Sequence, residues 1–212
     1  MARRWGRLLY VLSAVLAAPW ALAAGGRADF KLEPASPEAS RLADWIVDSG
    51  DNGRLPFVIV DKQGARVFVF SADGGLRGAS PALLGQSSGD DSAPGIGTRK
   101  LADILPEERT TPAGRFVASL GHNLHGGEIL WVDYDAALSL HPVVTSNPRE
   151  HRLQRLASAT PLDNRISYGC INVPAKFYHG VVSPAFRQSD GIVYILPETR
   201  PASAVFPHSP AQ

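Results

Sequence analysis

Two runs of β-branched and aromatic residues, Phe57-Val58-Ile59-Val60 and Arg66-Val67-Phe68-Val69-Phe70, flank a polar turn from Asp61 to Ala65. Such residues favour extended backbone, and this spacing closes a hairpin. Gly74-Gly75 marks the next turn, and Ser80 to Leu84 reads as a third strand. Further strands are expected at Arg115 to Leu120, Ile129 to Tyr134 and Ala136 to Leu140, with a late, largely buried one at Gly191 to Leu196. Many short strands with few helical stretches predict a mainly-β, sandwich-like domain with a few short helices. The first helix is expected from Ser36-Pro37-Glu38 through Leu42, Trp45 and Ile46, closed by Gly50 in a left-handed conformation. A second starts at Asn147-Pro148, with Leu153, Leu156 and Ala157 on its apolar stripe. The stretch from Gln86 to Arg99, rich in Gly, Ser and Asp, reads as a mobile surface loop. Its Gly95-Ile96-Gly97 follows no strand and does not read as a nucleotide-binding loop.

Arg3, Arg4 and Arg7 precede a mostly apolar run from Leu8 to Ala24 that closes on small residues, the pattern of a secretory signal peptide cleaved after Ala23 or Ala24. Pro19 interrupts the run, which falls short of the roughly 20 residues that span a bilayer, so a retained anchor is the weaker reading. The expected organisation is a signal at 1–24, an N-terminal segment with its short helix at 25–54, one domain at 55–197, and a flexible tail at 198–212. Lys and Arg number 21 against 20 Asp and Glu, and losing the three signal arginines leaves 18 against 20, a net charge of −2. With no basic stripe, nucleic acid is not an expected partner, and a monomer is expected.

Cys170 is the only cysteine. In an exported chain it can form no internal disulfide, so its retention as a free thiol in an oxidising compartment points to use. It stands in Ser167-Tyr168-Gly169-Cys170-Ile171-Asn172, followed by Val173-Pro174. Pro174 suits a first helical position, with Phe177, Val181 and Val182 at helical spacing, so Asn172 or Val173 is expected near a cap and Cys170 just upstream of a helix start. A helix dipole there would hold the thiol as thiolate.

A cysteine nucleophile needs a base within hydrogen-bond reach. His141 closes the strand expected at Ala136 to Leu140, where a rigid element could aim its ring, whereas His151 lies in a helix signal whose face is solvated. His141 is therefore preferred, with His151 as the alternative. His122 and His125 with Glu128 could suggest a metal site, but Gly126-Gly127 marks a polar hairpin tip, and no metal or other cofactor is expected. No Gly-x-Ser-x-Gly elbow supports a serine hydrolase. Trp45 and Trp131 read as packing groups.

The Ser167 to Asn172 stretch, the strand ending in His141, and Thr110-Thr111-Pro112-Ala113-Gly114-Arg115-Phe116 together resemble the L,D-transpeptidase (YkuD-type) catalytic domain. The resemblance covers Leu55 to Pro197. Pro142 follows His141 where the family often has Gly, and the segment from His141 to Cys170 is longer than usual. The resemblance implies an L,D-transpeptidase-like β-sandwich at the periplasm or cell surface that acts on peptidoglycan stem peptides. Cys170 would be the nucleophile and His141 the base, and backbone N–H groups of Gly169, Cys170 and Tyr168 would receive the oxyanion. Ser167 would orient the loop or the imidazole, Asn172 would cap the following helix or hold substrate, and Tyr168 would line the cleft. Thr111-Pro112-Ala113-Gly114 reads as a plain turn between strands. Transfer to an amine would make a crosslink and transfer to water would be carboxypeptidase action, while a wall-binding domain without activity is the non-enzymatic alternative.

Overall fold

A computed structural model describes residues 26–209. The signal-peptide reading lies outside them. No helix among the described residues is long and apolar enough to cross a membrane.

Among the described residues ten strands form an eight-stranded sheet, ordered β3 (Leu76–Pro81), β2 (Arg66–Phe70), β1 (Phe57–Asp61), β10 (Gly191–Ile195), β5 (Gly114–His122), β6 (Glu128–Asp133), β7 (Leu138–Pro142), β9 (Ile171–Val173), and a two-stranded pair of β4 (Leu84–Gly85) with β8 (Arg165–Ser167). Strands β1 (Phe57–Asp61) and β2 (Arg66–Phe70) make the expected hairpin, Phe57 opposite Phe70. Side chains alternate across a strand, so this apolar run serves two cores. Val58, Val60, Val67 and Val69 enter one core, and Phe57, Ile59, Phe68 and Phe70 enter the other. The first core also takes Leu130 and Val132 of β6 (Glu128–Asp133), Leu138 and Leu140 of β7 (Leu138–Pro142), and Ile171 and Val173 of β9 (Ile171–Val173). Strands from β2 across to the edge strand β9 share this one core, and the sheet wraps around it.

The second core is covered by α1 (Pro37–Ser49), which lays Ala39, Leu42, Ala43 and Ile46 on the aromatic face. Ser36 Oγ accepts from the Ala39 N–H at 3.1 Å, and Gly50 ends the helix at φ 68°. The Phe57 and Phe70 rings stack beneath it at 4.7 Å. Trp45 packs partly against this core, as read, whereas Trp131 stacks on the exposed Tyr134 at 4.5 Å.

Several boundaries differ from the sequence reading. The third strand, β3 (Leu76–Pro81), begins directly after the Gly74-Gly75 turn, and β4 (Leu84–Gly85) is separate. As an edge strand β3 has one pairing partner, which tolerates Gly78 and Pro81, and its apolar signal is correspondingly weak. Strand β7 starts at Leu138, because Asp133 Oδ1 accepts from the N–H groups of Asp135 (2.9 Å) and Ala136 (3.2 Å) and winds those residues into a turn. The second helix signal splits into a 3-10 turn, Pro148–Glu150, and α2 (Arg152–Leu156), joined at His151 with φ 49°. After β9 the chain enters α3 (Ala175–Phe177), a π-helical turn (Tyr178–Val182) and α4 (Ser183–Phe186).

The stretch read as a mobile loop is anchored at Asp90, which is 3% exposed. Its carboxylate accepts from Lys62 Nζ at 2.7 Å and from the N–H groups of Glu198 (2.8 Å) and Thr199 (2.9 Å). Burial alone would raise the Asp90 pKa, but the bonds from Lys62, Thr199 and Glu198 hold it well below the usual carboxylate range. The same bonds tie down the tail expected to be flexible. Glu198 pairs with Arg165, Arg200 Nη2 meets Asp91 Oδ1 at 2.9 Å, and Phe206 packs into the second core at 3% exposure. Residues 198–209 are thus part of the domain. Phe206→Ala should lower unfolding free energy by about 3–5 kcal/mol in a denaturant titration. A change below ~0.5 kcal/mol, the size expected of an unpacked surface residue, would restore the flexible-tail reading.

Candidate active site

Alternation along two neighbouring strands assembles the site. In β7, Leu138 and Leu140 face the core, which turns Ser139 and His141 to the opposite face. In β9, Ile171 and Val173 face the core and Asn172 opposes them. The strands pair in parallel, Leu140 with Ile171 and His141 with Asn172, and Cys170 directly precedes β9. Ser139, His141, Cys170 and Asn172 therefore share one patch.

Cys170 Sγ lies 3.5 Å from Ser139 Oγ and 3.5 Å from the Ala137 carbonyl oxygen. His141 Nδ1 is 2.8 Å from the Pro142 carbonyl oxygen. A carbonyl only accepts, so Nδ1 carries the proton and Nε2 is the nitrogen left to exchange one with the thiol. Burial alone would raise the Cys170 pKa, yet the hydrogen bond and charge of His141, aided by Ser139, bring it below the ordinary thiol value. Burial alone would lower that of His141, yet the Cys170 hydrogen bond and charge and the Pro142 carbonyl raise it, against opposition from Arg152. Each shift draws on the other group, so the pairing favours the charged form of both.

The source of this activation differs from the sequence reading. Cys170 is followed by a strand, and α3 begins only at Ala175 with Pro174 at its cap, so no helix dipole faces the sulfur. Asn172 does not cap that helix, since it lies within β9, where it is 1% exposed. Its Nδ2 donates to the Cys170 carbonyl at 3.0 Å and lies 3.5 Å from His141 Nε2. His151 is exposed at the junction of the 3-10 turn and α2, while His141 is part-buried and bears on the ionisation of the thiol.

Ser167 Oγ donates to the Cys170 carbonyl at 2.7 Å and accepts from the Gly169 N–H at 3.1 Å, so it orients the loop and does not touch the imidazole. That second bond engages one of the three N–H groups expected to receive an oxyanion, leaving those of Cys170 and Tyr168 for the role. Gly169 has φ 132°, and a Cβ there would stand 2.8 Å from the Thr110 carbonyl oxygen, so no other residue fits. The Tyr168 ring, 36% exposed, lies under the Arg109 guanidinium at 4.1 Å. Arg109 also donates to the Ile104 carbonyl and to Gln86 Oε1, joining Tyr168 to the segment that covers the site.

A pocket of about 100 Å³ opens onto Cys170, walled by Ile96, Leu101, Ile104, Ala137, Pro112 and Tyr168. Sequence reading missed three groups at the site. Ser139 was detectable as a polar residue two before His141 in an apolar strand. Arg152, whose Nη1 donates to Asn172 Oδ1 at 2.7 Å and whose Nε pairs with Glu150, carried no local signal. Thr111, read as part of a turn, donates from Oγ1 to the Gly169 carbonyl at 2.7 Å. Among the described residues no three His, Cys, Asp or Glu side chains converge as metal ligands, and His122 to Glu128 form the tip of the β5–β6 hairpin, β5 being Gly114–His122.

No family model matches the chain, and no curated protein matches it. Solved structures similar to it include an L,D-transpeptidase from Xylanimonas cellulosilytica, with 13% identity over 66% of this chain and 60% of that one, TM-score 0.39. Another is the helical cell shape determining protein of Campylobacter jejuni, with 14% identity over 69% of this chain and 49% of that one, TM-score 0.43. A third is an Enterococcus faecium L,D-transpeptidase, with 15% identity over 66% and 49%, TM-score 0.36. The matches span about half to three-fifths of those chains.

The raised histidine and lowered cysteine define the pH behaviour. Thiolate is present above the lowered Cys170 pKa and stays paired until pH rises through the raised His141 pKa. Iodoacetamide should therefore alkylate Cys170 at lower pH than it alkylates free cysteine. His141→Ala leaves burial opposed by Ser139 alone, and the rate at pH 7 should fall at least about tenfold, the equivalent of one pKa unit. His151→Ala should stay within about twofold of wild type, and the reverse ranking would move the base to His151.

Proposed function

We propose that this chain is a cysteine acyltransferase of the L,D-transpeptidase type that acts on peptidoglycan stem peptides outside the cytoplasm. The observation that carries the reading is the pairing of Cys170 with His141 on adjoining strands beside a pocket, with Nδ1 of the imidazole fixed by a backbone carbonyl. The sequence resemblance supplies the substrate class.

The Cys170 thiolate attacks the carbonyl of the L-configured third residue of a stem tetrapeptide, forming the C–S bond. Charge on the carbonyl oxygen is received by the N–H of Cys170, with that of Tyr168 as second donor, and one such donor is worth about 3–4 kcal/mol in other enzymes. As the C–N bond breaks, the His141 imidazolium gives its Nε2 proton to the departing D-alanine amine. The neutral imidazole then takes a proton from the acceptor that attacks the thioester. An amine of a second stem yields a crosslink, and water yields a shortened stem. Both outcomes begin from the same thioester. The activated thiol favours an enzyme over a wall-binding domain, because a binding domain has no use for a thiolate.

Mass spectrometry of a defined tetrapeptide muropeptide incubated with the chain from residue 25 onward should reveal released D-alanine, with either a crosslinked dimer or a tripeptide. Cys170→Ala should fold normally and give neither. Absence of both products, with Cys170 demonstrably reduced, overturns the assignment. A strained β-lactam carbonyl should also acylate the thiolate, so intact-protein mass spectrometry after carbapenem treatment should find one adduct, lost in Cys170→Ala.

A further inference from the structure

Thr111 is fully buried, and it uses its hydroxyl in both senses. Oγ1 accepts from the Gly85 N–H at 2.9 Å and donates to the Gly169 carbonyl at 2.7 Å. Its own carbonyl accepts from Lys62 Nζ at 2.9 Å, and Lys62 is 1% exposed and held by Asp90 and the Gly89 carbonyl. Its neighbours Thr110 and Pro112 line the pocket, while Thr111 itself points away toward the Cys170 loop. A turn between strands needs none of this. Valine would fill the same space, and only a hydroxyl joins Gly85 to Gly169.

The consequence lies one atom further along the chain. The Gly169 carbonyl and the Cys170 N–H belong to one planar trans peptide, in which C=O and N–H point in opposite directions. Fixing that carbonyl on the buried hydroxyl fixes the Cys170 N–H to face the other way. The Cys170 carbonyl is held separately, by Ser167 Oγ and Asn172 Nδ2. Gly169 at φ 132° is the residue that lets its carbonyl turn inward.

We propose that the Thr111 hydroxyl is the positioning group of the oxyanion site: it sets the Gly169–Cys170 peptide so that the Cys170 N–H faces the carbonyl under attack. This rests on the acyltransferase reading above. Thr111 does not touch the sulfur or the imidazole, and thiolate formation does not depend on it.

Two reactions of Cys170 separate these roles. Iodoacetamide is attacked at carbon, with iodide leaving and no oxyanion formed. With p-nitrophenyl acetate the sulfur adds to the carbonyl, oxygen becomes negative, and nitrophenolate departs as the thioester forms. Thr111→Val should lose about 100-fold in acylation rate, the size expected for one lost oxyanion donor, with the alkylation rate and its pH profile within twofold of wild type. Thr111→Ser should restore acylation to within about threefold. Acylation of Thr111→Val at the wild-type rate overturns the proposal, as does an equal fall in both reactions.

Should Thr111→Val fail to fold, wild-type NMR decides. When phenylacetaldehyde adds to the thiol as a hemithioacetal, the Cys170 amide signal should shift more than that of Gly169, whose N–H is held by Ser167. An unmoved Cys170 amide overturns the proposal. So does a wild-type chain that is alkylated but never acylated. Acylation without turnover of muropeptides would instead overturn the substrate assignment and leave the role of Thr111 standing.

Discussion

The parallel pairing of β7 with β9 is the constraint on which the rest of the site depends. Three residue pairs hold it, from Leu140–Ile171 to Pro142–Val173. A slip of one residue would send His141 or Asn172 into the core and bring a leucine, isoleucine or valine to the thiol. The four apolar side chains of this strand pair lie in the central core, so the register carries a large burial term against any slip. Core packing and the juxtaposition of His141 with Cys170 are here the same event.

A second constraint is the buried ammonium of Lys62. Removing a charge from water is costly unless every donor finds an acceptor. Lys62 finds three, the Gly89 carbonyl, Asp90 and the Thr111 carbonyl, with Glu198 also at 3.4 Å. Those acceptors come from the segment over the pocket, the Thr-Pro-x-Gly turn and the chain after β10 (Gly191–Ile195). One lysine thereby joins segments far apart in sequence, each of which looks like unstructured loop when read alone. Its placement also links the scaffold to the chemistry, because Thr111 passes the constraint to the Cys170 loop.

Cys170 illustrates how environment, more than residue type, sets the ionisation of a thiol. Burial by itself would protonate and silence it. His141 and the Ser139 hydroxyl oppose that effect and bring the thiol below its ordinary value, and the backbone carbonyls on both sides of the sulfur are fixed by Ser167, Asn172 and Thr111.

The sequence by itself determined the local features. The Phe57–Phe70 hairpin, the capped helix from Pro37 to Ser49 and the mainly-β character follow from alternation, turn residues and capping, which act over a few neighbours. The sole cysteine, with a strand-ending histidine upstream, was legible for the same reason, since residue type and short-range pattern carry it. Strand limits at Leu76 and Leu138 were not, because turn hydrogen bonds fixed them. Tertiary structure alone decided that Ile171–Val173 is a strand rather than a helix approach, since only pairing with β7 makes it one. It also decided that the tail docks through Phe206 and Glu198, and that Arg152, Lys62 and Thr111 bear on the site. Those roles rest on hydrogen bonds and burial between residues distant along the chain, and no local pattern encodes a partner that only folding brings near.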